Sequence, residues 1–158
     1  MIEVAPLQEV DRTAWEVLAR GYKAFYRTEL PDSAYEETWR RLIAGDRIHG
    51  LGAKLDGELV GIAHYLFHAQ TWSDDVCYLQ DLFTAEGVRG RGVARSLIDA
   101  VADAARARGA VRYYWLTKAD NATARALYDR IAAFKGFLRY DYPLASRDAR
   151  LSGSAADR

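Results

Sequence analysis

The chain reads as a single α/β domain, a mixed sheet covered by helices on both faces. Three observations predict it. Segments with helical and strand-like patterning interleave in the order β-α-α-β-β-β-α-β-α-β. Asp56-Gly57 joins two apolar runs, the strongest short-range signal for a β-hairpin. A glycine-rich stretch, Arg89-Gly90-Arg91-Gly92-Val93-Ala94, sits where a strand-like run passes into an amphipathic helix.

Residues 2–7 form the first expected strand. From Asp11 onward, Trp15, Leu18, Ala19, Tyr22 and Tyr26 recur at helical spacing. Pro31-Asp32-Ser33 starts a second helix whose face carries Tyr35, Trp39, Leu42 and Ile43, and Gly45 suits its end. Strands are expected at 48–55, 59–68 and 76–84. A third helix over 92–108 places Val93, Leu97, Val101 and Ala105 on one stripe, with Gly109 as its cap. The run 111–117 is β-rich, 121–133 reads as a helix, and 137–142 as a last strand before Pro143. The expected domain is 1–145. The small, polar residues 146–158 are expected to be a disordered tail.

The 158 residues suffice for one domain that buries roughly two-thirds of its unfolded surface. Half are hydrophobic and 12% aromatic, enough to build such a core. Lys+Arg and Asp+Glu are 22 each, so no net charge drives binding to nucleic acid or a membrane, and neither is expected as a partner. Charge is nevertheless uneven. From Gly87 to Lys118 there are seven basic residues and two acidic, a local excess around the glycine-rich stretch. A single cysteine, Cys77, excludes an internal disulfide. No signal or membrane segment stands out, so the expected location is cytoplasmic.

Glycines at a strand-to-helix junction allow a tight turn and bring backbone N–H groups close to a ligand. The helix adds its positive end, and Arg89 and Arg91 add charge. That combination suits phosphates. The order of residues resembles Arg/Gln-x-x-Gly-x-Gly/Ala, the pyrophosphate loop of the GNAT superfamily of N-acetyltransferases. Two further stretches carry the same resemblance. Asn121-Ala-Thr-Ala124-Arg-Ala-Leu127-Tyr128, followed by Gly136-Phe137, is similar to the signature that closes the GNAT core. Tyr78-Leu79-Gln80-Asp81-Leu82-Phe83-Thr84 looks like the strand before the loop in polyamine-type members. The three lie in the family's order across 78–137. The finer resemblance is to the Hpa-type histone and polyamine acetyltransferase group.

The resemblance implies the GNAT acyl-CoA N-acyltransferase fold, a mixed, mostly antiparallel sheet with helices on both faces. It implies acetyl-CoA as co-substrate, no metal, and transfer of the acetyl group to a primary amine by direct attack. The acceptor would be a small amine, a polyamine-like compound, or a protein lysine or N-terminus. Arg89, Gly90, Arg91, Gly92, Val93 and Ala94 would hold the pyrophosphate. The backbone of Leu82, Phe83 and Thr84 would pair with the pantetheine arm, with the Phe83 N–H on the thioester oxygen. Tyr128 would protonate the departing thiolate, and Asn121 would bond or position the cofactor. Members of the polyamine type carry Glu-Asp where this chain has Gln80-Asp81, and glutamine takes no proton. Asp81 is left to attract the ammonium and accept its proton, directly or through water, or only to orient the amine. Tyr26 and Trp39, from the aromatic set of the first two helices, are candidates to hold a cationic acceptor.

His49, His64 and His68 are scattered and have no acidic neighbours, which argues against a metal site and equally against His64 as an alternative base. Cys77 is expected in the core. A homodimer is compatible with the aromatic surface. The alternative is a module with the same fold that binds acyl-CoA as a sensor or interaction partner without turnover; Gln80 favours it, while Tyr128 and Asn121 favour an enzyme.

Overall fold

The computed structural model describes residues 1–144; the expected tail lies outside them. The chain divides into two units, Met1–Asp120 and one that begins at Asn121. The first contains β1 (Ile2–Pro6), α1 (Arg12–Phe25), α2 (Asp32–Ala44), β2 (His49–Leu55), β3 (Glu58–His68), β4 (Val76–Thr84), α3 (Val93–Arg108) and β5 (Tyr113–Trp115). The second contains α4 (Ala122–Ile131).

The five strands form one sheet in sequence order. Neighbours from β1 to β4 run antiparallel, and β4 pairs β5 in parallel. The β2–β3 hairpin turns at Asp56 and Gly57, with φ of 52° and 85°. Two consecutive positive φ values are what a tight hairpin turn that follows the sheet's twist demands. Residues 137–142 carry no regular element, so the expected sixth strand is not among the strands described. Their aromatic alternation favours extended backbone, but a strand is defined by its ladder rather than by propensity.

Helices cover both faces of the sheet. On one, Trp15, Leu18 and Ala19 of α1 and Tyr35, Trp39 and Leu42 of α2 pack over Leu59 and Ile62. On the other lies α3, whose predicted stripe Val93, Leu97, Val101 and Ala105 is buried throughout. Burying each of the larger aliphatic side chains contributes roughly 1.5–3 kcal/mol. Gly61 lets α3 sit directly on β3. A Cβ there would lie 2.7 Å from Val93 Cγ1 and 3.0 Å from Leu97 Cδ1. The start of α3 is thereby fixed against the middle of the sheet.

Candidate active site

The register between β3 and β4 slips by one residue at the centre of the sheet. His64 pairs with Asp81 and Tyr65 with Leu79, which leaves Gln80 as an extra residue in β4. Directly paired residues of an antiparallel ladder place their side chains on the same face. Tyr65 continues the alternation of Gly61 and Ala63, the face under α3. Asp81 and Phe83, opposite His64 and Ile62, instead face α1; a Cβ on Gly21 of α1 would meet the Phe83 ring at 3.0 Å. Without the bulge, Asp81 would share a face with Leu79. The extra residue turns the acid over to the α1 side.

There Asp81 enters a hydrogen-bonded chain. Its Oδ2 lies 2.9 Å from His64 Nδ1, and His64 Nε2 lies 3.0 Å from Trp15 Nε1. Tyr22, two helical turns after Trp15, sets its hydroxyl beside the same carboxylate. Burial alone would raise the pKa of Asp81. His64, with smaller contributions from Tyr22 and Lys23, outweighs it, and the carboxyl titrates below its ordinary value. Burial and the negative charge of Asp81 push the Tyr22 phenol in the opposite direction, far above its usual value. Tyr26 follows Tyr22, their rings edge to face at 5.0 Å, and burial beside Asp81 raises its pKa too. Asp81 is therefore an anion beside phenols that stay neutral.

A cavity of about 300 Å³ opens onto this group. Gln80, Asp81, His64 and Tyr22 line it, and so do two cationic residues, Lys23 and Arg41. Trp39 does not take the acceptor-holding place expected of it. It is 4% exposed, lies 5.1 Å from the Trp15 ring, and points its indole N–H at Glu9. The two indoles fill the core beneath the cavity. His64, in contrast, is a site residue that sequence reasoning set aside for want of an acidic neighbour. Asp81 is that neighbour, seventeen residues away. Cys77 is in the core as expected, its thiol pushed up to about 11 by burial.

Beyond the bulge, β4 and β5 part. Their ladder covers only Cys77–Leu79 against Tyr113–Trp115, while β4 stays paired with β3 as far as Thr84. The amide of Ala85 donates to Val60 O of β3 at 2.8 Å. Amides of a strand alternate in direction, so Phe83 also faces β3, whereas Leu82 and Thr84 face the opening on the β5 side. This corrects the expected donor. The Phe83 N–H belongs to the β3 ladder, opposite Ile62, and the outward amide nearest Asp81 is that of Leu82.

The glycine-rich stretch forms a loop before α3. Gly90 and Gly92 adopt φ of 78° and 86°, and beyond the adjoining backbone nothing lies within 4 Å of where a Cβ of either would be. Gly92 is the N-cap of α3, and the first intrahelical bond runs from Ser96 N to Gly92 O. The amides of Val93, Ala94 and Arg95 thus precede the helix's own ladder and point out of its positive end. Arg89 and Arg91 are exposed on the same loop, and Arg95 is paired with Asp99. Open space, outward amides and basic side chains fit a pyrophosphate.

In the second unit, Asn121 is the N-cap of α4, its Oδ1 accepting from Ala124 N at 3.5 Å. That is a structural task. Tyr128 lies in the last turns of α4, where its carbonyl accepts from Ala132 N.

A sheet that opens after a bulge, with an anion on one side and an exposed helix start beyond, suits an acyltransferase of the acetyl-CoA-dependent kind. The chain matches the acetyltransferase (GNAT) family over residues 15–134 and belongs to it. It is 34% identical over 137 residues to the D-amino-acid N-acetyltransferase HPA3 of Saccharomyces cerevisiae, covering 83% of this chain and 84% of that one. It is 32% identical over 95 residues to the thialysine N-epsilon-acetyltransferase of Caenorhabditis elegans, covering 60% and 59%. In fold it is similar to the aminoglycoside N-acetyltransferase AAC(6')-Iy, solved with a bisubstrate analogue. There the TM-score is 0.82 at 19% identity over 92% of this chain and 99% of that one. Among the described residues, no helix is long and apolar enough to cross a membrane.

Proposed function

We propose that the enzyme acetylates the amino group of a small zwitterion of the amino-acid class. The observation that carries this reading is the mixed charge of the cavity. Asp81 offers an anion for the acceptor's ammonium, while Lys23 and Arg41 offer cations for a carboxylate. A polyamine has no use for the two cations and is repelled by them. A volume of about 300 Å³ suits a molecule of amino-acid size. Arg41 also pairs with Glu37 at 3.2 Å, so Lys23 is the better placed of the two. The relatives named for D-amino acids and for thialysine support the same class.

In this reading Asp81 binds the ammonium and takes one proton, directly or by passing it to water. Bound acetyl-CoA supplies an activated acyl carbon, to which the freed amine forms a C–N bond as the C–S bond breaks. The Leu82 amide donates to the carbonyl oxygen as negative charge builds there. Tyr128 gives its phenolic proton to the departing sulfur and regains one, through water, from the nitrogen, which loses its second proton as the amide forms. The balance is one N-acetylated product, one CoA thiol and one released proton. Gly90, Gly92 and the amides of Val93 to Arg95 hold the pyrophosphate, with Arg89 and Arg91 adding charge.

The test is CoA thiol release with D- and L-amino acids, their carboxamides, spermidine, diamines, an aminoglycoside and a lysine peptide. Amino acids should turn over, and their carboxamides should lose about tenfold or more in kcat/KM. Faster turnover of spermidine than of any amino acid would overturn the assignment.

A further inference from the structure

We propose that His64 is a positioning residue: a neutral imidazole wedged between Trp15 and Asp81, which aims the carboxylate into the cavity and takes no proton from the acceptor. An indole N–H can only donate, so the 3.0 Å contact from Trp15 Nε1 obliges His64 Nε2 to accept through its lone pair. The ring's single proton is then on Nδ1, 2.9 Å from Asp81 Oδ2, a hydrogen bond from a neutral donor to an anion. Burial locks the arrangement. Trp15 is 0% exposed and His64 8%, so water does not compete for the bond between them.

For His64 to act as base, Nε2 would have to receive the proton. That breaks the Trp15 bond and strands a buried N–H. The groups facing Asp81 complete the picture. His64 reaches it from β3, Tyr22 and Lys23 from α1, and all three favour its anionic form. Trp15 and Tyr22 are seven residues apart, so one face of α1 braces both ends of the His64–Asp81 pair. The proton path therefore stops at Asp81 and leaves through the cavity, away from the core. The catalytic consequence rests on the assignment of Asp81 as the ammonium anchor.

Two variants and one spectrum test this. The Nδ2–H of asparagine can stand in for the imidazole Nδ1–H; leucine cannot donate. His64→Leu should raise the acceptor KM about tenfold, leave the acetyl-CoA KM within about twofold, and move the acidic limb of the kcat/KM profile to higher pH. His64→Asn should restore the limb and most of the KM. A loss of about 10²-fold or more in kcat in both variants, at unchanged KM, would mean that His64 is the base and overturn the proposal. A lowered melting temperature with an unmoved limb in both would reduce His64 to a packing role and overturn it equally.

Should His64→Leu not fold, ¹⁵N NMR of the wild-type imidazole decides. A protonated Nδ1 with a bare Nε2 at pH 7 is expected, and a proton on Nε2 refutes the proposal. Asp81→Asn measured alongside separates the two readings. An unchanged acceptor KM there would remove the anchor assignment, while the tautomer would still decide the role of His64.

Discussion

Replacing Asp81 by asparagine removes one charge and almost no volume. The amide oxygen of the new side chain can still accept from His64 Nδ1, so the Trp15–His64 geometry is kept. What goes is the attraction for an ammonium. At 4 Å and an effective dielectric of about 20, two unit charges attract by about 4 kcal/mol before desolvation is counted. Hydrogen bonds to charged groups contribute about 1.5–3 kcal/mol net, and the carboxylate, only 23% exposed, belongs in that range. Acceptor kcat/KM should therefore fall by roughly 10- to 150-fold, with the acetyl-CoA KM unchanged.

Stability supplies a second readout of the same substitution. Because the folded protein holds the Asp81 pKa below 3.8, ionised Asp81 adds stability above that value. The contribution is lost as pH falls from 3.8 through the lower folded pKa. Wild type should melt above Asp81→Asn at pH 7, and the difference should shrink in acid. Thiol-release kinetics and calorimetric melts measure both effects. An acceptor kcat/KM within about threefold of wild type would refute the reasoning.

Tyr128→Phe should lower kcat by about 10²-fold, with acetyl-CoA affinity measured calorimetrically unchanged. A large loss of affinity would show that the hydroxyl binds the coenzyme instead of protonating its sulfur. Gly61→Val should push the start of α3 off the sheet, since its Cβ would stand 2.7 Å from Val93 Cγ1. We expect a cost of about 1–3 kcal/mol, read as a drop of about 3–10 °C in melting temperature, with weakened CoA binding. An unshifted melt would mean that α3 adjusts freely.

Much of the fold was legible because it depends on local patterns. The stripe from Val93 to Ala105 could bury only one face, and Asp56-Gly57 could make only a tight hairpin. The glycine loop was equally plain, since its chemistry is that of the backbone at a helix start. The acceptor side was not. Tyr78 to Thr84 has the apolar content of a continuous strand, and nothing in it marks Gln80 as the residue left unpaired. The pairing of His64 with Asp81, the burial of Trp39 and the directions of the Leu82 and Phe83 amides all depend on that phase. Register is a property of two strands together, and it changes every face assignment when it slips by one.

The bulge also changes the meaning of Gln80. Read as a side chain, it is the place where a glutamate is missing and a proton acceptor with it. Read as backbone, it is the residue that puts Asp81 and Leu79 on opposite faces, and it stands where the β4–β5 ladder ends. Both effects need an extra residue at this point and neither needs a carboxylate in it. In the proposed reading Asp81, bonded to His64 and with Tyr22 and Lys23 beside it, anchors the acceptor alone. On the same reading, glutamine in place of glutamate at position 80 lowers the negative charge offered to the acceptor by one unit and keeps the bulge. A cavity with one anion and two cations is consistent with an acceptor that carries a carboxylate of its own.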